Sequence, residues 1–446
     1  MNNWTPSSWQ TKPLQQGVTY PDCGALAQTV QALALLPPLV TSWEIESLKE
    51  QLAAAQRNEV FLLQGGDCAE RFGDCRPEPI VAMLKVLLQV SLVLAYGNRC
   101  RVVRVGRFAG QYAKPRSSDV ETRNGLTLPS YRGDLINGPE FIPQARTPDP
   151  ERLLRGYERS AMTLNFIRSL VGGGFADLHH PEWWTLDFAR AVPQYREYQE
   201  LVDRLTEALQ FLETVGGRRL DEVRRIDFYT SHEGLHLDYE QALTRQVPHR
   251  DGWYNLGTHY PWIGNRTRDL SAAHIEFFRG IANPVGVKIG PGMTTDELLA
   301  LVEVLNPHNE PGRLTLIHRM GRSRISTELP PLVEAVRRSG RLVLWCCDPM
   351  HGNTITASTG RKTRRFDDIL AEVETAFDIH AAAGGFLGGI HVELSGGTVT
   401  ECLGGARCLS ESDLERAYET EVDPRLNYEQ ALELSLLIAR RFQKRR

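Results

Sequence analysis

No two of the eight cysteines stand at the C-x-x-C spacing of a zinc ribbon or a dithiol motif. In a chain of 446 residues with no secretory layout they are expected as reduced thiols rather than a disulfide framework, one of them still able to ligate a metal. No run approaches the roughly 18 apolar residues of a membrane span, and the patch from Ala32 to Val40 is broken by Pro37 and Pro38. A net charge of −4 gives no basic field for nucleic acid. The cluster Arg440, Arg441, Lys444, Arg445, Arg446 reads as the solvated end of a terminal helix. The glycine-rich pieces match neither the P-loop nor the dinucleotide fingerprint, and there is no G-x-S-x-G elbow. With 41% hydrophobic and 24% charged residues the chain is expected to be globular and cytoplasmic.

What is present is a series of short β-type runs that end in polar residues. The most marked is Leu342 to Trp345, which empties into Asp348, Pro349, Met350 and His351. The others are Val60 to Gln64, Arg101 to Arg107, Arg225 to Thr230, Gly252 to Tyr260, Pro284 to Ile289, Leu314 to Ile317 and Gly389 to Leu394. Helical candidates alternate with them: Pro79 to Tyr96, Thr295 to Leu305, Leu329 to Ser339 and Asp367 to Ala383. Eight βα units predict a (β/α)8 barrel over an open doubly wound sheet. Residues 1–57 form an N-terminal extension with a helix from Ser42 to Gln56, and 58–446 the catalytic barrel. Two amphipathic helices at about 149–216, after the second strand, are an insertion, because a crossover needs only one.

The strand tips of such a barrel face one mouth. Cys68, Arg107, Glu233, Arg266, Lys288, Arg319, His351 and Glu393 are therefore expected to converge there. Singly, each passes for an ion pair or a buried structural residue. Together, Arg107, Arg266, Lys288 and Arg319 make a site for phosphate or carboxylate, whose oxygens match guanidinium forks. Cys68, His351 and Glu393 lie on the first, seventh and eighth strands, which adjoin in a closed barrel, and Asp423 in the following loop offers a fourth donor. Such a mixed sulfur, nitrogen and oxygen set suits Mn, Fe, Co or Zn rather than Ca.

The segments 63–70 (LQGGDCAE), 109–117 (AGQYAKPRS), 347–354 (CDPMHGNT), 389–393 (GIHVE) and 400–405 (TECLGG) resemble the type II 3-deoxy-D-arabino-heptulosonate 7-phosphate (DAHP) synthases. The resemblance runs from about residue 20 to the end. It implies a (β/α)8 barrel that condenses phosphoenolpyruvate with erythrose 4-phosphate, releasing phosphate, at the first step of the shikimate pathway. It implies a divalent metal (Mn, Co, Fe or Zn, with Mn favoured) on Cys68, His351, Glu393 and Asp423. Phosphoenolpyruvate would lie on Arg107, Lys288 and Arg319, beside the turn at Asn265 and Arg266. The aldose phosphate would lie along Lys114, Pro115, Arg116, Ser117 and Arg266, with Arg107, Lys288 and Glu233 as the catalytic candidates.

Where that family is expected to read Gly-Glu-Arg-Thr-Arg, this chain reads Gly264-Asn265-Arg266-Thr267-Arg268, so a carboxylate has become an amide. A synthase of a secondary pathway or a relative using an amino-sugar phosphate would share nearly every motif; a non-catalytic effector-binding barrel is the reading from a different class, and the intact set of Cys68, His351, Glu393 and Asp423 speaks against it. The resemblance also implies a homo-oligomer whose inserted helices and N-terminal extension bind an aromatic amino acid, tryptophan being the first expectation.

Overall fold

The computed structural model describes residues 4–175, 180, 184, 196–204, 206, 207 and 227–443. Eight parallel strands build one sheet: β1 (Val60–Gly66), β2 (Arg101–Arg107), β3 (Tyr229–Thr230), β4 (Trp262–Ile263), β5 (Val285–Ile289), β6 (Leu314–His318), β7 (Leu344–Cys347) and β8 (Gly389–Glu393). Their order is β3-β2-β1-β8-β7-β6-β5-β4. The two ends are joined by backbone bonds from Tyr260 N to Thr230 O (3.2 Å), Trp262 N to His232 O (3.0 Å) and Gly234 N to Trp262 O (3.0 Å), which close a (β/α)8 barrel.

Side chains alternate along a strand, so each strand feeds two cores. Val60, Leu62, Val103, Val105, Tyr229, Trp262, Ile317, Leu344 and Cys346 fill the barrel together with Leu48, Leu52, Ala54 and Ala55 of a helix from the N-terminal extension. That helix is α2 (Ser42–Gln56), preceded by α1 (Cys23–Leu35). It opens on a capping box between Thr41 and Glu44 and plugs the end of the barrel where the strands begin. Each leucine buried there contributes about 2 kcal/mol. Among the described residues this end is filled by α2, which leaves the strand tips as the mouth of the barrel.

The outer layer comprises α3 (Pro77–Asn98), the inserted α4 (Glu151–Gly172), α5 (Leu237–Ala242), α6 (Ala273–Phe278), α7 (Thr295–Leu305), α8 (Ile325–Ser339), α9 (Phe366–Ala382) and α10 (Tyr428–Gln443). Helices α3 and α10 meet at Gly97, where a Cβ would stand 2.3 Å from the Cβ of Ala439. α4 lies against α1. There Tyr157 Oη donates to Pro37 O (2.7 Å) and Arg168 to Leu39 O (3.1 Å).

Several expectations need correction. The fourth strand is not Gly252 to Tyr260: Trp253–Asn255 pairs antiparallel with Thr244–Gln246 in a separate hairpin, and β4 is the two-residue Trp262–Ile263. A strand that short carries no periodicity to read. Residues 118–148, where no strand is expected, contain a hairpin of Val120–Arg123 and Leu126–Pro129 turned at Asn124-Gly125, both with positive φ. The absence of a span-length apolar stretch does not hold either, because α3 is long and apolar enough to cross a membrane, with a mean hydropathy of 2.0. It is instead a barrel helix, buried between α10, β1 and β2. The second inserted helix lies largely outside the described residues, within which 196–204 are helical.

Candidate active site

The mouth of the barrel is organised around Glu393 at the tip of β8, which is fully buried. Its Oε1 is 3.0 Å from His351 Nε2, 3.1 Å from Arg107 Nη2 and 3.5 Å from Lys114 Nζ, and its Oε2 accepts from Arg364 Nη1 at 2.8 Å. Burial alone would raise the pKa of this carboxyl; His351, Lys114, Arg364 and Arg107 together hold it well below the usual range. Those four groups favour its ionised form.

Cys68, just past β1, and Asp423, in the loop after β8, complete a second ring. Sγ of Cys68 lies 3.9 Å from Asp423 Oδ2, and between them stands the ammonium of Lys114, 2.8 Å from the sulfur and 2.9 Å from that oxygen. Lys362 holds the other oxygen of Asp423 at 2.8 Å. Burial and then the charge of Glu393 push the Cys68 thiol up.

Asp348 joins the ligand side of the site to the anion side. Its Oδ2 accepts from His351 Nδ1 (2.7 Å) and from Lys288 Nζ, while its Oδ1 takes the N–H groups of Met350 (2.9 Å) and His351 (3.2 Å). This fixes the His351 ring with Nε2 toward Glu393. Burial pulls Lys288 down to about 8, with Asp348 opposing and Arg107 assisting. Arg319 donates to the carbonyl of His351. Arg107 bonds the carbonyls of Asp67 (3.1 Å) and Cys68 (3.3 Å) and lies 2.5 Å from His391 Nε2. Gln64 Oε1 sits 2.7 Å from the other ring nitrogen of His391, so the ring is neutral, donating to Gln64 and accepting from Arg107.

Cys68, Arg107, Lys114, Lys288, Arg319, His351, Glu393 and Asp423 thus form one continuous network. Glu233 is half-buried beside it, its carboxyl pushed up by desolvation against the pull of Lys114, Lys288, His351 and Arg107. Its Oε1 has no hydrogen-bond partner, and a Cβ on Gly264 would come within 2.0 Å of it. The remaining candidates lie further out. Arg266 Nη2 donates to Ser117 Oγ (2.8 Å), Arg268 Nε donates to Asn265 Oδ1 (3.1 Å), and Arg116 pairs with Glu121 of the hairpin (3.0 Å). Pro115 lies between Lys114 and Arg116 in the same loop.

Sequence reasoning missed Asp348, Arg364 and His391 as members of the site. Asp348 carried a usable signal, since an acid three residues before a histidine at a strand tip can reach its ring. Arg364 carried none: it arrives on a small hairpin, Thr354–Thr356 with Lys362–Arg364. Two more acids hold the loops. Glu70 accepts the N–H groups of Ala109 (3.0 Å), Gly110 (3.0 Å) and Gln111 (2.8 Å), fixing the chain that leads to Lys114. Glu401 accepts from Thr420 N (2.9 Å) and Arg425 N (2.7 Å), fixing the turn that carries Asp423.

One pattern that suggests a different centre is His232-Glu233-Gly234-Leu235-His236, the H-E-x-x-H spacing of zinc proteases. That motif needs both histidines on one helix turn, and here the segment is not helical. His232 Nε2 is bonded to Glu240 (2.7 Å) and His236 Nε2 to Tyr20 Oη (2.8 Å). Open volume does not mark the site either. A cavity of about 760 Å³ lies beside it, between the loops after β1 and β8, lined by Glu70, Arg76, Met83, Ser395 and Arg425. The network itself is filled by its own ion pairs.

The model of the Class-II DAHP synthetase family matches residues 4–439. A protein of Neurospora crassa named phospho-2-dehydro-3-deoxyheptonate aldolase is 47% identical, covering 99% of this chain and 95% of its own. One of the same name from Streptomyces coelicolor is 48% identical, covering 97% and 96%. A solved phospho-2-dehydro-3-deoxyheptonate aldolase of Francisella tularensis covers 96% of this chain and 98% of its own, at 12% identity and a TM-score of 0.49.

Proposed function

Given that the chain belongs to the class-II DAHP synthetase family and condenses phosphoenolpyruvate with erythrose 4-phosphate, the first step of the shikimate pathway, we propose which residues perform that reaction. Arg107, Lys288 and Arg319 hold the phosphate and carboxylate of phosphoenolpyruvate. Lys114, Pro115, Arg116, Ser117 and Arg266 receive the phosphate of the aldose, with Asn265 shaping the turn beside both. The observation that carries this is the network around Glu393, which gathers cations and mixed donors from distant parts of the chain into one buried site.

The family generally uses a divalent metal. We assign its ligands to Cys68, His351, Glu393 and Asp423, and favour manganese among Mn, Co, Fe and Zn. The fit is supported by Lys114: a cation already stands among Cys68, Asp423 and Glu393. A divalent ion held there would supply Lewis-acid polarisation of the aldehyde. With those donors holding an ion, Lys114 would be available to the aldose phosphate.

The residues then have separable tasks. The Arg and Lys cluster offsets the repulsion of two anions and aligns C3 of phosphoenolpyruvate with the aldehyde carbon. As C3 bonds that carbon, the aldehyde π pair passes to its oxygen, positive charge develops at C2, and water adds there, its two protons ending on the new hydroxyl and on the departing phosphate. The C–O bond to phosphate then breaks, giving DAHP and inorganic phosphate. Glu233 accepts the proton of the attacking water. Its raised pKa suits it to return that proton to a leaving oxygen.

We also place the enzyme in the cytoplasm, in keeping with its eight cysteines, none of which is joined in a disulfide among the described residues. Residues 1–57 act as an extension and 149–216 as a regulatory insertion. Leu35 on α1 and Met162 on α4, 82% and 53% exposed, are apolar side chains that a second copy would cover. The decisive experiment is phosphate release with both substrates. Release should require both, stop with EDTA and return with Mn²⁺. Release from phosphoenolpyruvate alone, or undiminished activity after chelation and desalting, would overturn the assignment.

A further inference from the structure

Glu372 lies on α9, on the outer side of the sheet, and is fully buried. Its Oε1 accepts the N–H groups of Met320 (3.0 Å) and Gly321 (2.9 Å), in the loop after β6. Its Oε2 accepts from Asn353 Nδ2 (2.7 Å), in the loop after β7. Asn353 completes the bracket: its Oδ1 accepts from Arg322 N (2.9 Å), and its Nδ2 also donates to Pro349 O (2.8 Å). One carboxylate on a helix therefore holds both loops.

Those loops carry the two groups that must keep register. Arg319 immediately precedes Met320, His351 stands two positions before Asn353, and the Arg319 guanidinium donates to the His351 carbonyl. Where the loops touch there is no side chain. A Cβ on Gly321 would stand 2.5 Å from Gly352 O, and one on Gly352 2.3 Å from Gly321 N. Backbone packed this closely has one spacing, and the carboxylate behind it sets where that spacing falls.

The same helix face invites another reading, since one donor atom each of His318, Cys347 and Glu372 lie within 4.8 Å of one another, all three residues buried. Glu372, however, already accepts three hydrogen bonds from the loops, which leaves little capacity for an ion. The loop contacts are the ones its orientation serves.

We propose that Glu372 is a positioning residue for the synthase reaction, a staple that keeps the phosphoenolpyruvate-binding Arg319 and the metal-binding His351 at a fixed spacing. The inference rests on the roles given to those two residues above. It attributes to Glu372 a coupled effect on metal and phosphoenolpyruvate that a stability role alone would not produce. Outer partners of metal ligands are worth about 10-fold or more in metal affinity.

The test uses Glu372→Ala, Glu372→Gln and a control on the same helix, Val373→Ala, which trims the core and removes none of the hydrogen bonds that hold the loops. Metal affinity is read by Mn²⁺ titration followed by magnetic resonance, and steady-state kinetics give the Michaelis constant for each substrate. Glu372→Ala should weaken Mn²⁺ binding and raise the constant for phosphoenolpyruvate, each by about 10-fold, while that for erythrose 4-phosphate changes by less than about threefold. Glu372→Gln keeps the oxygen that serves Met320 and Gly321 but turns an NH2 group on Asn353 Nδ2, a donor, so it should show a smaller loss of the same kind, about fivefold in each; it also decides the matter if the alanine variant fails to fold. Val373→Ala should lower the melting temperature and leave both constants alone. Unchanged metal and phosphoenolpyruvate binding in the Glu372 variants, or equal changes in Val373→Ala, would overturn the staple. His351→Ala and Arg319→Ala, run in parallel, separate that failure from an error in the roles of those two residues.

Discussion

The ammonium of Lys114 lies 2.8 Å from Sγ of Cys68, inside the ring of donors assigned to the metal. Burial would lower its pKa, but Asp423, Cys68 and Glu393 hold it above the ordinary amine value, so it is a fixed positive charge. The metal-free enzyme is thereby spared an uncompensated cluster of buried carboxylates, which costs about 3 to 5 kcal/mol when one partner of a buried pair is removed. Lys114→Met should accordingly lower the melting temperature markedly in EDTA and much less with saturating Mn²⁺. Cys68→Ser should do the reverse, losing most bound metal and turnover while the metal-free fold keeps its stability. Equal losses for Lys114→Met with and without metal would show that the lysine and the metal do not share one place.

Lys288 gives the site a pH limit. Burial, with Arg107 assisting and Asp348 opposing, brings its ammonium down to about 8, so the free enzyme loses a phosphate-binding charge as pH rises through that value. The kcat/KM for phosphoenolpyruvate should fall with an apparent pKa near 8, because that ratio reports the free enzyme. Lys288→Arg should carry the fall to higher pH, a guanidinium staying protonated there. Stability runs the other way. Between about 8 and 10.5 the folded chain binds fewer protons than the unfolded one, so this group makes stability rise with pH while activity falls. An alkaline limb that stays put in Lys288→Arg would remove Lys288 from the assignment.

The fold was legible wherever a strand was long enough to show a pattern. Arg101–Arg107 and the helix Thr295–Leu305 lie where their periodicity puts them. β4, at two residues, is held by its neighbours rather than by its own sequence, and so left no trace. The site was legible at strand tips because a barrel delivers those residues to one mouth. It was not legible for Arg364, which folds over the mouth on a hairpin, nor for Glu372, which acts through a helix from the far side of the sheet. Such residues become functional through what they touch, and contact between distant segments has no local signature.

Asn265 sits where the type II resemblance leads one to expect a carboxylate. Its Oδ1 accepts from Arg268 Nε at 3.1 Å, and a Cβ on Gly290 would meet that oxygen at 3.0 Å, close to Arg319. An amide there can orient the turn but cannot take a proton at neutral pH. Asn265→Ala should raise the Michaelis constants several-fold and lower turnover less. A loss of turnover above about 100-fold with unchanged constants would mark an interaction made only in the transition state and reject the positioning role.

The inserted helix α4 is not needed to close the barrel, yet it is tied to the N-terminal extension through Tyr157 and Arg168. Leu153, Tyr157, Leu164 and Ile167 are already buried, while Met162 on α4 and Leu35 on α1 remain outside. The extension in turn reaches the substrate loop, where Gln16 Oε1 accepts from Arg116 N at 2.8 Å and Gln16 O from Arg132 at 3.2 Å. A ligand that shifts α4 against α1 therefore has a continuous path to the residues assigned to the aldose phosphate. Tryptophan is expected to inhibit, raising the Michaelis constant for erythrose 4-phosphate more than that for phosphoenolpyruvate. Replacing 149–216 by a short linker should abolish the inhibition and lower the oligomeric order seen by light scattering. Leu35→Glu with Met162→Glu should lower that order in the intact chain. If the intact enzyme ignores tryptophan, phenylalanine and tyrosine, singly and combined, the insertion has no role as their site, and a sedimentation profile unchanged in the double variant would also remove this face from assembly.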